Sequence, residues 1–197
     1  SLDPVTGKPY WREPFTSASS DVVATPVVNG DHLLISGFML KLSRDQKSES
    51  PSASVLWPES SAPAKRVLSS TSTPLLRDNL IFSAGRSGKL VCLDATSGHQ
   101  LWETDKVTDG KSAAATTIHI TENGESDLLF NDQGILIRAR LDREAYHEIS
   151  RAKLIEPNYS FGGRKITWSA PAFANRHIFV RNGTELLCVS LENKVSD

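Results

Sequence analysis

This chain repeats itself about every 45 residues, and that repeat decides what it can fold into. Ser1-Leu2-Asp3-Pro4-Val5-Thr6-Gly7-Lys8-Pro9-Tyr10-Trp11 aligns with Cys92-Leu93-Asp94-Ala95-Thr96-Ser97-Gly98-His99-Gln100-Leu101-Trp102. Both read small-Leu-Asp-x-x-Thr/Ser-Gly-x-x-x-Trp. Trp57 falls between them, so Trp11, Trp57 and Trp102 stand 46 and 45 residues apart. A second landmark recurs as Thr25-Pro26-Val27-Val28, Thr73-Pro74-Leu75-Leu76, Thr116-Thr117-Ile118 and Ala170-Pro171-Ala172-Phe173. Two independent landmarks share one period.

Between the landmarks the pattern is one of short strands. The clearest unit runs Thr73–Leu76, Leu80–Ala84, Lys89–Leu93 and His99–Glu103, with turns at Arg77-Asp78-Asn79, Gly85-Arg86-Ser87-Gly88 and Asp94–Gly98. Glycine supplies the positive φ that such turns need. His32–Ser36 with Phe38–Leu42, Leu128–Asn131 with Ile135–Leu141, and Ile178–Arg181 with Glu185–Val189 echo it. No unit holds a stretch of 3.6-residue periodicity long enough for a helical repeat. The expectation is an all-β chain: a β-propeller of four-stranded antiparallel meander blades, about four of them. The units are residues 1–13 (outer strand only), 22–58, 70–104, 114–150 and 166–192. In the turn motif, Asp3 and Asp94 accept backbone N–H bonds, and Gly7 and Gly98 take left-handed geometry. Trp11, Trp57 and Trp102 then wedge an outer strand against the neighbouring blade.

These residues resemble the tryptophan-docking repeat of the quinoprotein, or PQQ-like, β-propellers. That family includes pyrroloquinoline-quinone alcohol dehydrogenases and the non-enzymatic BamB-type factors of outer-membrane assembly. The resemblance is strong in Ser1–Trp11 and Leu80–Trp102. It weakens at Ser43–Ser54, where a Ser-rich insert, read as a longer solvated loop, replaces the turn motif. It weakens again at Leu141-Asp142, which keeps the Asp but has Tyr146 nearby and no Trp. Members usually have seven or eight blades. The outer strand Lys8–Arg12 lacks its blade and the last unit lacks its outer strand, so the chain reads as part of such a ring rather than a closed four-bladed one.

The resemblance implies that enzymatic members hold PQQ and calcium beside a vicinal cysteine pair, with a Glu/Asn/Asp ligand set and an Asp base. Here Cys92 and Cys188 lie 96 residues apart, each in an apolar run, and both read as small buried hydrophobes. His32, His99, His119, His147 and His177 form no metal-binding spacing. No catalytic, cofactor-binding or metal-binding residue is assigned. Gly162-Gly163-Arg164-Lys165 lacks the spacing of a phosphate loop and reads as a flexible inter-blade loop.

A net charge of −1 removes the electrostatic signature of a nucleic-acid binder. No apolar run approaches the roughly 18–20 residues that cross a bilayer, and Ser1-Leu2-Asp3-Pro4 has no signal-peptide character. What remains is a scaffold whose loops bind something. The loops expected on one face carry Arg86, Asp132, Tyr159, Phe161, Arg164 and Arg181, and Arg and aromatic residues commonly anchor interfaces. The leading expectation is a non-catalytic, BamB-like scaffold with a protein partner, periplasmic or extracellular by resemblance. The alternatives are a fragment of a PQQ-dependent dehydrogenase, and a carbohydrate- or peptide-binding sensor domain.

Overall fold

The computed structural model describes residues 1–16, 23–44, 50–59, 66–108 and 116–192. The described elements are all strands. β1 (Val27–Asn29), β2 (His32–Ile35), β3 (Phe38–Arg44) and β4 (Pro51–Trp57) form one antiparallel meander. β5 (Leu75–Arg77), β6 (Leu80–Ala84), β7 (Leu90–Asp94) and β8 (Gln100–Thr104) form the second, and β9 (Ile118–Asn123), β10 (Ser126–Asn131), β11 (Ile135–Leu141) and β12 (Tyr146–Lys153) the third. A hairpin follows, β13 (Tyr159–Phe161) with β14 (Arg164–Ile166), and then a three-stranded sheet of β15 (Ala172–Ala174), β16 (His177–Arg181) and β17 (Leu186–Ser190). The sheets are partial blades of a propeller.

The middle strands of the second and third sheets are apolar on both faces because each of these two sheets lies between two others. Period-two alternation then sends successive residues to opposite seams. On β6, Leu80, Phe82 and Ala84 join Ile118, Leu129 and Ile137 from the third sheet. Ile81, between them in sequence, joins Leu34, Met39 and Trp57 from the first. β10 repeats the scheme, with Leu129 packed toward the second sheet and Leu128 and Phe130 toward Ile178 and Val180 of the last. The core is therefore three seams between sheets.

Polar bonds cross the seams at offsets close to one repeat. Thr25 donates its N–H to Thr73 Oγ1 at 3.0 Å, and Ile118 donates its N–H to Ser72 Oγ at 3.0 Å. Both lie at the Thr-Pro and Thr-Thr landmarks, so the landmark residues tie one inner strand to the next. Arg77 at the end of β5 forks onto Asp127 of β10 at 2.8 and 3.1 Å, and Asp127 is buried. A bidentate pair of this kind, with its carboxylate buried, sets the relative orientation of two sheets.

Several sequence expectations need correction. The two ends of the Ser43–Ser54 segment are ladder rather than loop: Ser43 pairs Ser52 and Arg44 pairs Pro51, because alternating Ser and Ala side chains suit an exposed edge strand. Residues 45–49 of it lie outside the described residues, as do 60–65 of the Pro58–Val67 loop. The outer strand expected at Lys8–Arg12 is reduced to an isolated Leu2–Pro9 bridge within its own hairpin. Gly162-Gly163 is the two-residue turn of the β13–β14 hairpin, not a flexible connector: φ is +58° and +78°, the conformation a tight hairpin turn demands. Cys188 is exposed while Cys92 is buried. The last sheet packs only one face, through Ile178, Val180, Leu187 and Val189, and Cys188 sits on the other.

Candidate interaction face and blade seams

Two kinds of residue were singled out by the sequence, and the structure places them differently. The first kind sits at the seams. Asp94 Oδ1 accepts the N–H groups of Thr96 and Ser97 at 3.1 and 3.0 Å, and Gly98 N–H returns to Asp94 O at 2.8 Å. Asp3 does the same with Val5, Thr6 and Gly7, and Asp142 with Glu144 and Ala145. Donated backbone N–H groups hold all three carboxyls below the ordinary carboxylate range.

Of Trp11, Trp57 and Trp102, the latter two sit on the neighbouring sheet's turn. Trp57 at the end of β4 is buried, and its indole N–H donates to Ala95 O at 2.7 Å. Its ring lies against Gly98, where an added Cβ would stand 2.6 Å from Trp57 Cδ2. Trp102 on β8 donates to Asp142 O in the third sheet's turn at 3.0 Å. Trp11 is half-buried, and its carbonyl accepts from the Ser1 ammonium at 3.0 Å. Gly7 has nothing within 4 Å of where a Cβ would point.

The second kind is the set of loop residues. The linkers and mid-sheet turns meet on one side of the sheets. Arg86 N–H donates to Val67 O at 3.1 Å, Asn131 Nδ2 to Val107 O at 2.7 Å, and Asn182 Nδ2 to Glu156 O at 2.9 Å. Asp132 and Arg164 are drawn inward there: Asp132 is buried, and Arg164 Nη2 donates to its Oδ2. The pair ties the β13–β14 hairpin to the third sheet, reinforced by Thr167 N–H on Asp132 O at 2.7 Å. Arg86 and Arg181 are exposed.

Tyr159 and Phe161 project from the same side of β13, two residues apart, and are 55% and 40% exposed. Both meet Trp168 edge-on, with ring centroids 5.9 and 4.7 Å away. Tyr159, Trp168, Arg181 and Gly183 help line a cavity of about 230 Å³. Asn158 fastens the adjoining turn, accepting the Gly183 N–H at 2.8 Å and donating to Thr184 Oγ1 at 2.9 Å. Sequence reasoning did not single out Trp168. The signal that could have found it is an aromatic placed just beyond the return strand of a hairpin that already shows two.

A family model described as outer membrane protein assembly factor BamB matches residues 1–111 and again 48–139. The chain belongs to that family. Among solved structures, BamB from Moraxella catarrhalis superposes with a TM-score of 0.55 at 17% identity, covering 95% of this chain and 49% of BamB. The chain thus spans about half the length of that BamB. A europium-containing methanol dehydrogenase superposes with a TM-score of 0.38 at 14% identity, over 82% of this chain and 36% of the enzyme. No curated protein sequence matches the chain.

Among the described residues, no three His, Cys, Asp or Glu side chains gather as metal ligands. The two cysteines sit on different sheets, and burial pushes the Cys92 thiol up to about 12.

Proposed function

We propose that this BamB-family chain is a non-catalytic scaffold of outer-membrane protein assembly, acting in the periplasm and binding a protein partner through the Tyr159–Phe161–Trp168 face. The observation that carries the reading is the exposed aromatic cluster on a hairpin added to the blade pattern. A propeller does not need that hairpin to close its seams. Its base is held by the buried Asp132–Arg164 pair and the Asn158 clamp, so the aromatics are presented in a set geometry. Pre-organised aromatics beside an arginine are what a protein interface uses as anchors.

PQQ with calcium provides the test against an enzymatic reading. Titrated into the purified protein, the pair is expected to give no stoichiometric chromophore. A Tyr159→Ala/Phe161→Ala variant is expected to keep its thermal midpoint while losing the partner from membrane-assembly fractions. Stoichiometric PQQ binding overturns the scaffold reading.

A further inference from the structure

The outer strands of the three complete sheets share an irregularity in register. Between β3 and β4 it falls at Met39/Leu40, with Trp57 opposite Met39 and Val55 opposite Leu40. Between β7 and β8 it falls at Cys92/Leu93, with Trp102 opposite Cys92 and Gln100 opposite Leu93. Between β11 and β12 it falls at Arg138/Ala139, with Ser150 opposite Arg138 and Glu148 opposite Ala139. Ser150 therefore stands where the other two sheets place their tryptophan.

The receiving side of that third seam is nonetheless built. Ala95, whose carbonyl takes the Trp57 indole, directly follows β7, and its N–H bonds Asn79 O at 2.9 Å. Leu191 directly follows β17, and its N–H bonds Arg176 O at 2.8 Å. Asn79 and Arg176 each hold the second left-handed position of their turn, with φ +61° and +58°. The next residues also correspond: Thr96 N–H meets Asp94 Oδ1, and Glu192 N–H meets Ser190 Oγ. With a serine in place of the indole, a cleft of about 650 Å³ remains, lined by Leu128, Leu136, Arg138, Ser150, Arg176 and Leu191 among others.

We propose that this cleft is a docking site for a tryptophan side chain borne on an acidic segment of a partner protein. The tryptophan follows from the two neighbouring seams, where an indole fills the corresponding space and donates to a backbone carbonyl of the next sheet's turn. The acidic context follows from the rim. Arg138, Arg151 and Arg176 stand on it against Glu192 and the adjacent Glu148. Arg138 Nε is bound to Ser126 Oγ at 2.9 Å rather than to a carboxylate. The cleft shares no lining residue with the cavity beneath Tyr159, so either site can fail without the other.

The test is calorimetric titration of the purified protein with an acidic peptide carrying one central tryptophan. Binding is expected, with a loss of at least roughly tenfold when the peptide tryptophan becomes alanine. Ser150→Trp supplies the indole from within, so it should abolish peptide binding and raise the thermal midpoint. Arg138→Glu, an exposed rim change that does not depend on refilling the cleft, should weaken binding about tenfold. No binding to the unaltered protein overturns the proposal, as does binding that Ser150→Trp and Arg138→Glu both leave intact. A dimer that Ser150→Trp dissolves would assign the cleft to a second copy of the chain and overturn it equally.

Discussion

Gly98 shows how one residue can set a seam. Its φ of +71° and the Trp57 ring over its α-carbon both exclude a side chain. Gly98→Ala should cost about 2–4 kcal/mol, combining left-handed backbone strain with overpacking. Gly7→Ala meets no neighbour and should cost only the backbone part. Chemical denaturation of the two variants makes the comparison. His119 supplies a second residue-scale prediction. Burial holds its imidazole down to about 4, below an ordinary value near 6.5. The unfolded chain therefore takes up this proton first as pH falls. Stability should drop between about pH 6.5 and pH 4, by up to about 3 kcal/mol from this group. His119→Gln should flatten that part of the stability–pH profile. An unchanged slope would contradict the buried, neutral imidazole.

At the scale of elements, the strands were legible because period-two alternation and Gly turns repeat at a fixed interval. Leu80–Ala84 and Ile135–Leu141 are found with their expected bounds. The β13–β14 hairpin was not legible. Its Gly162-Gly163 turn looks like any flexible loop until Tyr159 is seen to pair with Ile166. The same holds for Asp132 and Arg164, which lie 32 residues apart. Charged loop residues read as solvent-facing from sequence, and only the fold reveals that they meet and that Asp132 is buried. Arg77 and Asp127 were missed for the same reason, although their separation of 50 residues is close to one repeat. Removing one partner of a buried pair leaves the other charge uncompensated. Asp132→Ala should therefore destabilise by about 3–5 kcal/mol, and hydrogen exchange should rise first in β13 and β14. Protection in the hairpin equal to that of the unaltered protein would show that the pair does not hold it.

At the scale of the molecule, the family is BamB's, and the described sheets correspond to about half of the Moraxella protein's length. The seams explain why so much of the sequence is accounted for by structure. Tryptophan and turn aspartate recur where the first sheet fastens to the second and the second to the third. What the seams leave over is the aromatic hairpin, and the proposed function rests on it. Site-specific photo-cross-linking in cells measures that claim most directly, with the photoreactive residue at position 161 and, as a control, at Val5, which is also exposed and lines neither cavity. Position 161 should yield one discrete adduct with an outer-membrane assembly protein, and position 5 should yield none. No adduct at position 161, or the same adducts at both positions, would contradict it.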